Sequence, residues 1–271
     1  MNFYKLLNGY QIPDIGFGTW QITGEPLKIA LRAAYDLGYI NFDTAYIYGN
    51  EQEIGDFFRE NEIDISKLII TTKLWNTEHG YDNTMRAFER SLKALGKVDV
   101  FLIHWPGFDR YVETWRAFEA IYRSGQVKAI GVSNFKKHHL ETLIEQTEIV
   151  PMLNQIETNP YMYDNDTIGF CRDRGIAVQA WSPLAHGMEL FSDEVLLKIA
   201  AKHDKSVAQV VLNYLQSKGL VVLPKSQTVK RIRENFHPAD FSLDEDDMAR
   251  IAGLNTGRRC GPDPDEFFGD S

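Results

Sequence analysis

The stretch VDVFLIHWPGFDRYVETWRAFEAIYRSGQVKAIGVS, residues 98–133, decides the fold. It opens with a short apolar run at 98–103, which is typical of a buried strand. Residues 112–124 then have the period of an amphipathic helix, and a second apolar run follows at 129–133. Parallel strands need a crossover of about this length between them, usually a helix. The stretch therefore predicts two neighbouring parallel strands joined by a helix.

The same unit is predicted eight times along the chain. The strands are expected at 15–19, 40–43, 68–73, 98–103, 129–133, 152–156, 177–181 and 220–223, and the helices at 26–37, 51–59, 81–95, 112–124, 137–145, 165–174, 194–215 and 229–235. Eight such units predict an α/β fold, a closed (β/α)8 barrel of the TIM type, with an open doubly wound sheet as the alternative. Because no linker divides the chain, one domain spanning 1–271 is expected.

Additions are predicted at both ends of the barrel. Residues 3–7 and 10–13 flank Asn8-Gly9, which favours a tight turn and predicts an N-terminal β-hairpin that acts as a lid or plug. Residues 244–254 predict a C-terminal helix, and the tail at 255–271 is expected to be a surface loop. Within the barrel, Gly38 suits the left-handed end of the first helix, and Asn50 with Glu53 is typical of a capping box.

Composition narrows the class of protein. With 271 residues, 44% of them hydrophobic, the chain can enclose a large core, which excludes disorder as its main state. Its 29 Lys and Arg against 38 Asp and Glu give a net charge of −9, so a nucleic-acid or anionic-membrane partner is not expected. Cys171 and Cys260 are expected to be free thiols. Since the chain also lacks a signal-peptide pattern and a long apolar span, we expect a cytoplasmic protein. A monomer is the default expectation.

Reactive side chains follow several of the predicted strands, where a parallel barrel carries its chemistry. They are Asp43, Tyr48, Lys73 and His104. An ammonium about 4 Å from a phenol contributes roughly 4 kcal/mol at an effective dielectric near 20, enough to lower the pKa of Tyr48. Asp43 would keep Lys73 charged, and His104 could donate a hydrogen bond to a carbonyl oxygen. This set predicts carbonyl reduction, the alternatives being a structural ion pair and a core histidine.

A basic cluster marks the expected cofactor site. Lys225, Lys230, Arg231 and Arg233 lie at or near the start of the last barrel helix, which Thr228 begins. Cations in the first turn of a helix are disfavoured by the helix dipole unless an anion binds there. The cluster therefore predicts a phosphate of a bound hydride carrier, and a solvated helix face is the alternative.

Four of the five tryptophans lie at or near strand ends: Trp20, Trp75, Trp105 and Trp181. Such rings predict an aromatic pocket for an apolar or mixed carbonyl compound, with Trp181 placed to stack on a nicotinamide. Core packing beneath the loops is the alternative for any one of them. Trp115 instead falls inside a predicted helix.

Several short motifs of other protein classes are present only in part. Gly16-Phe17-Gly18 has Gln21 in place of the third glycine of a dinucleotide fingerprint, so no Rossmann site is expected. Residues 131–135 lack the final glycine of a hydrolase nucleophile elbow. Tyr214 and Lys218 are spaced like a reductase pair but are interpreted as helix surface. His138-His139 has no second ligand pair, so no metal site is expected.

The chain resembles the aldo-keto reductase family over nearly its whole length, most closely the short bacterial-type members, which include 2,5-diketo-D-gluconate and methylglyoxal reductases. The matching segments are GFGTW at 16–20, DTAYIYGNEQEIG at 43–55, TTKLWN at 71–76, LIHWP at 102–106, IGVSNF at 130–135, LNQIETNP at 153–160, AWSPL at 180–184 and LPKSQTVKRIRENF at 223–236. The resemblance implies a (β/α)8 barrel that uses NADPH without a Rossmann domain. It also implies that Asp43, Tyr48, Lys73 and His104 form the catalytic tetrad, with Tyr48 as proton donor.

The resemblance further implies which residues bind the cofactor and the substrate. Ser133, Asn134 and Gln155 match residues that hold the carboxamide, and Trp181 matches the stacking ring, where many relatives have tyrosine or phenylalanine. Lys225, Ser226 and Arg231 match the grip on the 2′-phosphate, with Glu234 and Asn235 near the adenine. The other expected cofactor contacts are Gly18, Thr19, Trp20, Ser182, Leu184 and Thr228. The expected substrate contacts are Trp20, Tyr48, Trp75, His104 and Trp105.

The predicted function is NADPH-dependent reduction of small aldehydes, methylglyoxal, keto acids or keto-sugar acids to alcohols. The alternative is an NADP(H)-sensing regulatory protein in which catalysis is secondary. The loop after the fourth strand and the C-terminal tail are short, and these segments shape substrate choice in the family.

Overall fold

Eight parallel strands form the central sheet in a computed structural model that describes residues 1–108, 110–187, 189–236 and 241–268. The strands in chain order are β1 (Phe3–Lys5), β2 (Gln11–Pro13), β3 (Phe17–Gly18), β4 (Asn41–Asp43), β5 (Ile69–Leu74), β6 (Val100–Ile103), β7 (Ala129–Ser133), β8 (Leu153–Glu157), β9 (Ala177–Trp181) and β10 (Val221–Leu223). The helices are α1 (Gly24–Leu37), α2 (Glu51–Glu60), α3 (Tyr81–Leu95), α4 (Tyr111–Arg123), α5 (Lys137–Gln146), α6 (Asn165–Asp173), α7 (Glu194–His203), α8 (Val207–Ser217), α9 (Val229–Phe236) and α10 (Glu245–Ala252).

The sheet closes into a barrel. Strands β3 to β10 lie side by side in sequence order, and each pairs in parallel with the next. Parallel bridges from Ile15 to Val222 and from Gly18 to Lys225 then join the first strand segment to the last. The predicted TIM barrel is therefore confirmed, and the open sheet is excluded.

The core lies between the barrel and its helices, and the unit quoted first illustrates the packing. On α4, Phe118 stacks on Phe101 of β6 with ring centroids 4.3 Å apart, and Trp115 stacks on Phe118 at 5.7 Å. All three rings are buried, and the Trp115 indole donates its N–H to the Ile149 carbonyl at 2.8 Å. The apolar period of the helix thus turns one face onto the strand before it.

The predicted hairpin closes the end of the barrel at which the strands begin. Strands β1 and β2 pair antiparallel, and Gly9 has the positive φ that their turn requires. The Asn8 amide donates to the Lys128 carbonyl, just before β7, at 2.8 Å. The hairpin is therefore a plug, and the opposite end stays open.

One predicted helix is in fact two. The stretch expected as a single helix at 194–215 breaks after His203, where Asp204 adopts a left-handed conformation with a φ of 51°. Ser206 then caps α8 in a reciprocal capping box with Gln209. The single-helix prediction is wrong because this local cap offers the backbone donors better partners than a continuous helix would.

The capping box predicted at Asn50 and Glu53 is also wrong. The Asn50 side chain is buried and bonds to Thr44 Oγ1 at 2.6 Å and to the carbonyls of Thr19 and Ile22 at 3.0 and 2.9 Å. Glu53 instead accepts the N–H of Gly24 at 2.6 Å. Long-range partners have replaced the local ones, so Asn50 ties together loops at the open end of the barrel.

One further surface prediction is wrong. Tyr214 is buried at 3% exposure in α8, so it is a core residue, with the Lys218 ammonium 5.7 Å from its ring. The tail is a mostly exposed or half-buried loop without helix or strand over 255–268, as predicted, and Phe267 and its neighbours also reach the open end of the barrel. Gly38 does adopt the predicted left-handed conformation, both cysteines are free, and no helix in the described residues could cross a membrane.

We expect Gly55→Ala to destabilise the fold. A Cβ at position 55 would lie 2.0 Å from the Ala94 carbonyl oxygen, where α2 packs on the backbone of α3. Overpacking of this kind costs about 1–3 kcal/mol. Gly169→Ala, in α6 with no neighbour within 4 Å, is the matched control and should stabilise by roughly 0.5–1 kcal/mol through helix propensity. Urea unfolding measures both, and equal effects would contradict the packing argument.

Candidate active site

A groove of about 1060 Å³ opens at the carboxyl ends of the barrel strands. It is lined by every predicted site residue except Lys73, which lies buried beneath it. These residues are Gly18, Thr19, Trp20, Asp43, Tyr48, Trp75, His104, Trp105, Ser133, Asn134, Gln155, Trp181, Ser182, Leu184, Lys225, Ser226, Thr228, Arg231, Glu234 and Asn235. They come from all parts of the chain, and the barrel brings them together because its strands all end at one face.

A buried ion pair lies at the floor of the groove. Lys73 Nζ is 2.5 Å from Asp43 Oδ1, 2.8 Å from the Thr44 carbonyl and 3.5 Å from the Tyr48 hydroxyl. The Lys73 side chain is 1% exposed. The pair therefore also reaches a phenol that lines the groove, which a purely structural ion pair would not need to do.

The pKa values of these groups reflect competition between burial and charge. Burial raises the pKa of Tyr48 and outweighs the opposing effect of Lys73. The expectation that the neighbouring ammonium makes the phenol more acidic overall is thus wrong for this groove, although the charge does act in that direction. Burial opposes the charge on Lys73, but Asp43 and Tyr48 more than offset it, so the pKa of the ammonium is raised. Lys73 is charged and Tyr48 protonated at neutral pH.

His104 stands beside the phenol as a neutral ring. Its centroid is 5.7 Å from that of Tyr48 and 5.2 Å from that of Trp75. Burial, together with the charge of Lys73, holds the pKa of His104 well below its usual value. Its Nδ1 is buried without a hydrogen-bond partner among the described atoms, which leaves Nε2 to act toward the groove. A structural core histidine would have hydrogen-bond partners for both ring nitrogens, and within the described residues His104 lacks one at Nδ1.

Gln155 connects the floor of the groove to the ion pair. Its amide nitrogen donates to Asp43 Oδ2 at 2.8 Å and to Gln179 Oε1 at 3.1 Å. Both N–H groups are then used, so the amide oxygen is what Gln155 can offer to a ligand. Sequence reasoning missed Gln179, which is buried in β9, because nothing local to it signals the contact.

Asn134 and Trp181 hold each other in place. The Trp181 indole N–H donates to Asn134 Oδ1 at 2.7 Å, and the Asn134 amide nitrogen donates to the His104 carbonyl at 2.9 Å and to Ser133 Oγ at 3.2 Å. A φ of 64° at Asn134 aims its side chain this way. A tyrosine or phenylalanine at 181 would have no indole N–H, so the tryptophan changes the hydrogen bonding of Asn134 here.

The far end of the groove is basic. Among the described residues, no carboxylate lies within 4.0 Å of the charged groups of Lys225 or Arg231. Burial lowers the pKa of Lys225, as expected for a half-buried cation without a counter-ion. Arg231 lies in the first turn of α9, and Ser226 Oγ accepts the N–H of Thr228 at 3.1 Å. The Lys225 ammonium and the Arg231 guanidinium are donors that fit a phosphate group. Lys230 and Arg233 do not line the groove.

Aromatic rings wall the other end. Trp75 and Trp105 both contact Phe267 of the tail, with centroids 6.0 and 4.5 Å apart. Trp20 stacks on His186 at 5.0 Å across the groove. The predicted aromatic pocket is therefore present.

Sequence reasoning missed several residues that the tail and four loops contribute to the groove. They are Gln21, Ile47, His186, Gly187, Phe191, Gln227, Cys260, Gly261, Pro262 and Phe267. Gly261 packs on the Trp181 ring, where a Cβ would lie 2.4 Å from the indole edge. The glycine is a sequence signal of this close approach, but it cannot be interpreted until the neighbouring ring is known.

Comparison with known proteins identifies relatives along the whole barrel. The Aldo/keto reductase family model matches residues 14–256. The chain is 45% identical over 267 residues to glyoxal reductase of Bacillus subtilis (strain 168), which covers 97% of this chain and 96% of that protein. It is 41% identical over 270 residues to methylglyoxal reductase DkgA of Escherichia coli O157:H7, covering 98% of each.

Comparison with solved structures also finds a match to the fold of this chain. A Gox0644 variant in complex with NADPH matches with a TM-score of 0.93 and 39% identity, over 98% of each chain. The family predicted from the sequence motifs is thereby confirmed. The chain belongs to the aldo/keto reductase family.

Proposed function

We propose that the protein reduces small aldehydes and ketones to alcohols with NADPH, the substrates including glyoxal, methylglyoxal and keto acids or keto-sugar acids. The observation that carries the proposal is the chain from Asp43 through Lys73 to the Tyr48 hydroxyl at the floor of a groove of about 1060 Å³. A groove of this size holds a dinucleotide and a small carbonyl compound together. The named relatives are reductases of two such carbonyl compounds, glyoxal and methylglyoxal.

The groove fits NADPH along its length. Lys225, Ser226, Thr228 and Arg231 would hold the 2′-phosphate, with Glu234 and Asn235 beside the adenine. Gly18, Thr19, Trp20, Ser182 and Leu184 would contact the middle and the nicotinamide half. Ser133, Asn134 and Gln155 would hold the carboxamide, and Trp181 would stack on the ring. Lys225, which has no carboxylate partner in the described part of the chain, supports this assignment most directly, because an anion stabilises a half-buried ammonium.

The chain's own residues supply the proton and the orientation. Tyr48, protonated at neutral pH, donates its hydroxyl proton to the carbonyl oxygen, and the phenolate left behind is stabilised by Lys73 at 3.5 Å. Asp43 keeps the ammonium charged and aimed. Neutral His104 donates a hydrogen bond to the same oxygen and orients it. NADPH, when bound, supplies the hydride that no side chain can provide.

The substrate would lie against Trp20, Trp75 and Trp105, beside Tyr48 and His104. We further propose that residues 1–271 form one NADP-dependent oxidoreductase domain that acts as a cytoplasmic monomer without nucleic-acid partners. Two unpaired cysteines and a net charge of −9 support this. Light scattering of the purified protein tests the monomer.

Tyr48→Phe should lower kcat for glyoxal reduction by at least about 100-fold, because it removes the proton donor. NADPH affinity should stay within about threefold, since the ring remains. Tyr46→Phe, in the same turn but stacked under Arg90, is the matched control and should retain full activity. Oxidation of NADPH followed at 340 nm measures both variants. Equal rates for wild type and Tyr48→Phe would contradict the proposal, and tight NADPH binding without turnover would favour a cofactor-sensing protein.

Arg231→Ala should weaken NADPH binding by about 10- to 100-fold and NADH binding by less than about threefold, because only NADPH carries the phosphate that the guanidinium would hold. Arg233→Ala, on the same helix but outside the groove, should change neither affinity. Fluorescence titration gives both dissociation constants. Equal losses for the two cofactors would contradict the phosphate assignment.

Gln179→Met should raise the Kd for NADPH several-fold, because it removes the acceptor that fixes the Gln155 amide. In a Gln155→Met background the same change should have no further effect, since the two residues act as one unit. Gln179→Glu keeps an oxygen in place and should restore much of the affinity. Additive losses in the double variant would show that Gln179 acts through general packing alone.

A further inference from the structure

The C-terminal tail is held on the barrel by several successive contacts, and the last of them lies beyond Phe267, where the Asn76 amide donates to the Phe268 carbonyl at 3.2 Å and the Phe268 ring stacks on Phe108 at 4.2 Å. The amides of Thr256 and Arg258 donate to the Tyr161 carbonyl at 3.2 and 3.0 Å. The amides of Cys260 and Gly261 donate to the buried Glu157 carboxylate at 2.7 and 3.2 Å. Beyond these backbone contacts, the attachment of the tail becomes electrostatic.

This electrostatic attachment is one lysine between two aspartates, and the Arg259 side chain adds a second cation 3.6 Å from Asp263 Oδ2. Lys136 Nζ lies 2.6 Å from Asp263 Oδ1 and 2.6 Å from Asp265 Oδ2. The Lys136 side chain is only 22% exposed, so water screens the pair less than it screens an open surface pair. His138 Nε2 adds a contact to Asp265 Oδ1 at 3.1 Å. We call Lys136, Asp263 and Asp265 the ionic latch.

The latch connects directly to the wall of the groove. The amides of Glu266 and Phe267 both donate to the Asp263 carbonyl at 3.0 Å, so Asp263 helps to position the Phe267 ring, together with the contacts of Phe268. That ring packs on Trp105 with centroids 4.5 Å apart and lines the groove. On the other side, Lys136 begins α5 two residues after Asn134, which lies at the floor of the groove.

A metal clip is the competing interpretation of this region, because His138, His139 and Asp265 place ligand atoms within 4.8 Å of one another. His139 Nδ1, however, accepts the backbone N–H of Lys136 at 3.2 Å. In a neutral ring the proton then lies on Nε2, the atom that faces Asp265 at 3.6 Å, and a protonated nitrogen cannot ligate a metal. The Lys136 ammonium already neutralises Asp265, so the geometry favours the latch.

We propose that Lys136 is a specificity-determining positioning residue: by pairing with Asp263 and Asp265 it holds Phe267 in the groove as a wall for the apolar part of a carbonyl substrate. The proposal rests on the reductase function proposed above. Substrates with a ring, such as benzaldehyde, would contact Phe267, whereas glyoxal is too small to depend on it. Releasing the tail should therefore raise the KM for benzaldehyde and leave the KM for glyoxal unchanged.

The test compares Lys136→Met with Lys137→Met. Lys137 is the next residue, and its ion pair with Glu141 is exposed, so it matches the loss of charge without touching the tail. Lys136→Met should raise KM for benzaldehyde about fivefold and leave kcat and KM for glyoxal within twofold. Phe267→Ala should raise KM for benzaldehyde at least as much, and Lys136→Met should add nothing to that rise in the Phe267→Ala background. Asp263→Asn with Asp265→Asn should reproduce the effect.

Two measurements do not need turnover. The tail of Lys136→Met should be cleaved faster by a protease, and the tryptophan emission should shift to the red as Trp105 loses its cover. High salt should speed the cleavage of the wild-type tail and shift the wild-type emission to the red, toward the values of Lys136→Met, because salt screens the ion pairs. The same salt should leave both readouts of Lys136→Met unchanged. If neither the wild type nor any variant reduces a carbonyl compound, the proposed function is wrong. The cleavage and emission measurements still show whether the ionic latch holds the tail.

The proposal is overturned if Lys136→Met behaves like Lys137→Met in KM, proteolysis and emission. It is also overturned if the losses from Lys136→Met and Phe267→Ala are additive. A third contrary result would be protection of the tail by added Zn²⁺ that depends on His138 while Lys136→Met has no effect, because the tail would then be held by a metal.

Discussion

An ammonium buried at the end of a barrel strand is the constraint on which the site depends. Lys73 is almost fully enclosed, and removing its charge from water costs several kcal/mol unless close partners compensate. Asp43, the Thr44 carbonyl and the Tyr48 hydroxyl are those partners. Their geometry requires the observed register, in which Asp43 of β4 lies opposite Thr71 of β5. A slip of one residue would turn Lys73 to the other face of its strand and leave the charge without partners.

In the reaction proposed above, the same pair would let one phenol remain protonated at rest and still give up its proton. Burial keeps the pKa of Tyr48 high, so the donor is loaded before reaction. Lys73 favours the phenolate, so its effect is largest when negative charge forms on the oxygen. An interaction that strengthens as the charge develops lowers the barrier, whereas one of equal strength throughout would not. We therefore propose that the opposition between burial and charge at Tyr48 serves the proton transfer.

Residues far apart in the chain complete the groove around this centre. Trp181 binds Asn134 through its indole N–H, a contact that ties β9 to the loop after β7. Gln155 joins β8 to Asp43, and Gln179 extends that connection into β9. The tail adds Phe267 to the aromatic end. Each of these contacts links two strand-end segments, so the shape of the groove is a property of the closed barrel.

The barrel, the set Asp43, Tyr48, Lys73 and His104 at or after the strand ends, and the basic start of α9 were all predictable from local patterns along the chain. Periodicity and helix-end chemistry are local, and parallel strands in a barrel must end at one face. The path of the tail, the partners of Asn50, the contact of Gln179 and the sign of the pKa shift at Tyr48 became visible in the folded chain alone. These depend on burial and on pairs of residues distant in sequence, and no local pattern encodes how deeply a side chain is buried or which distant group it meets.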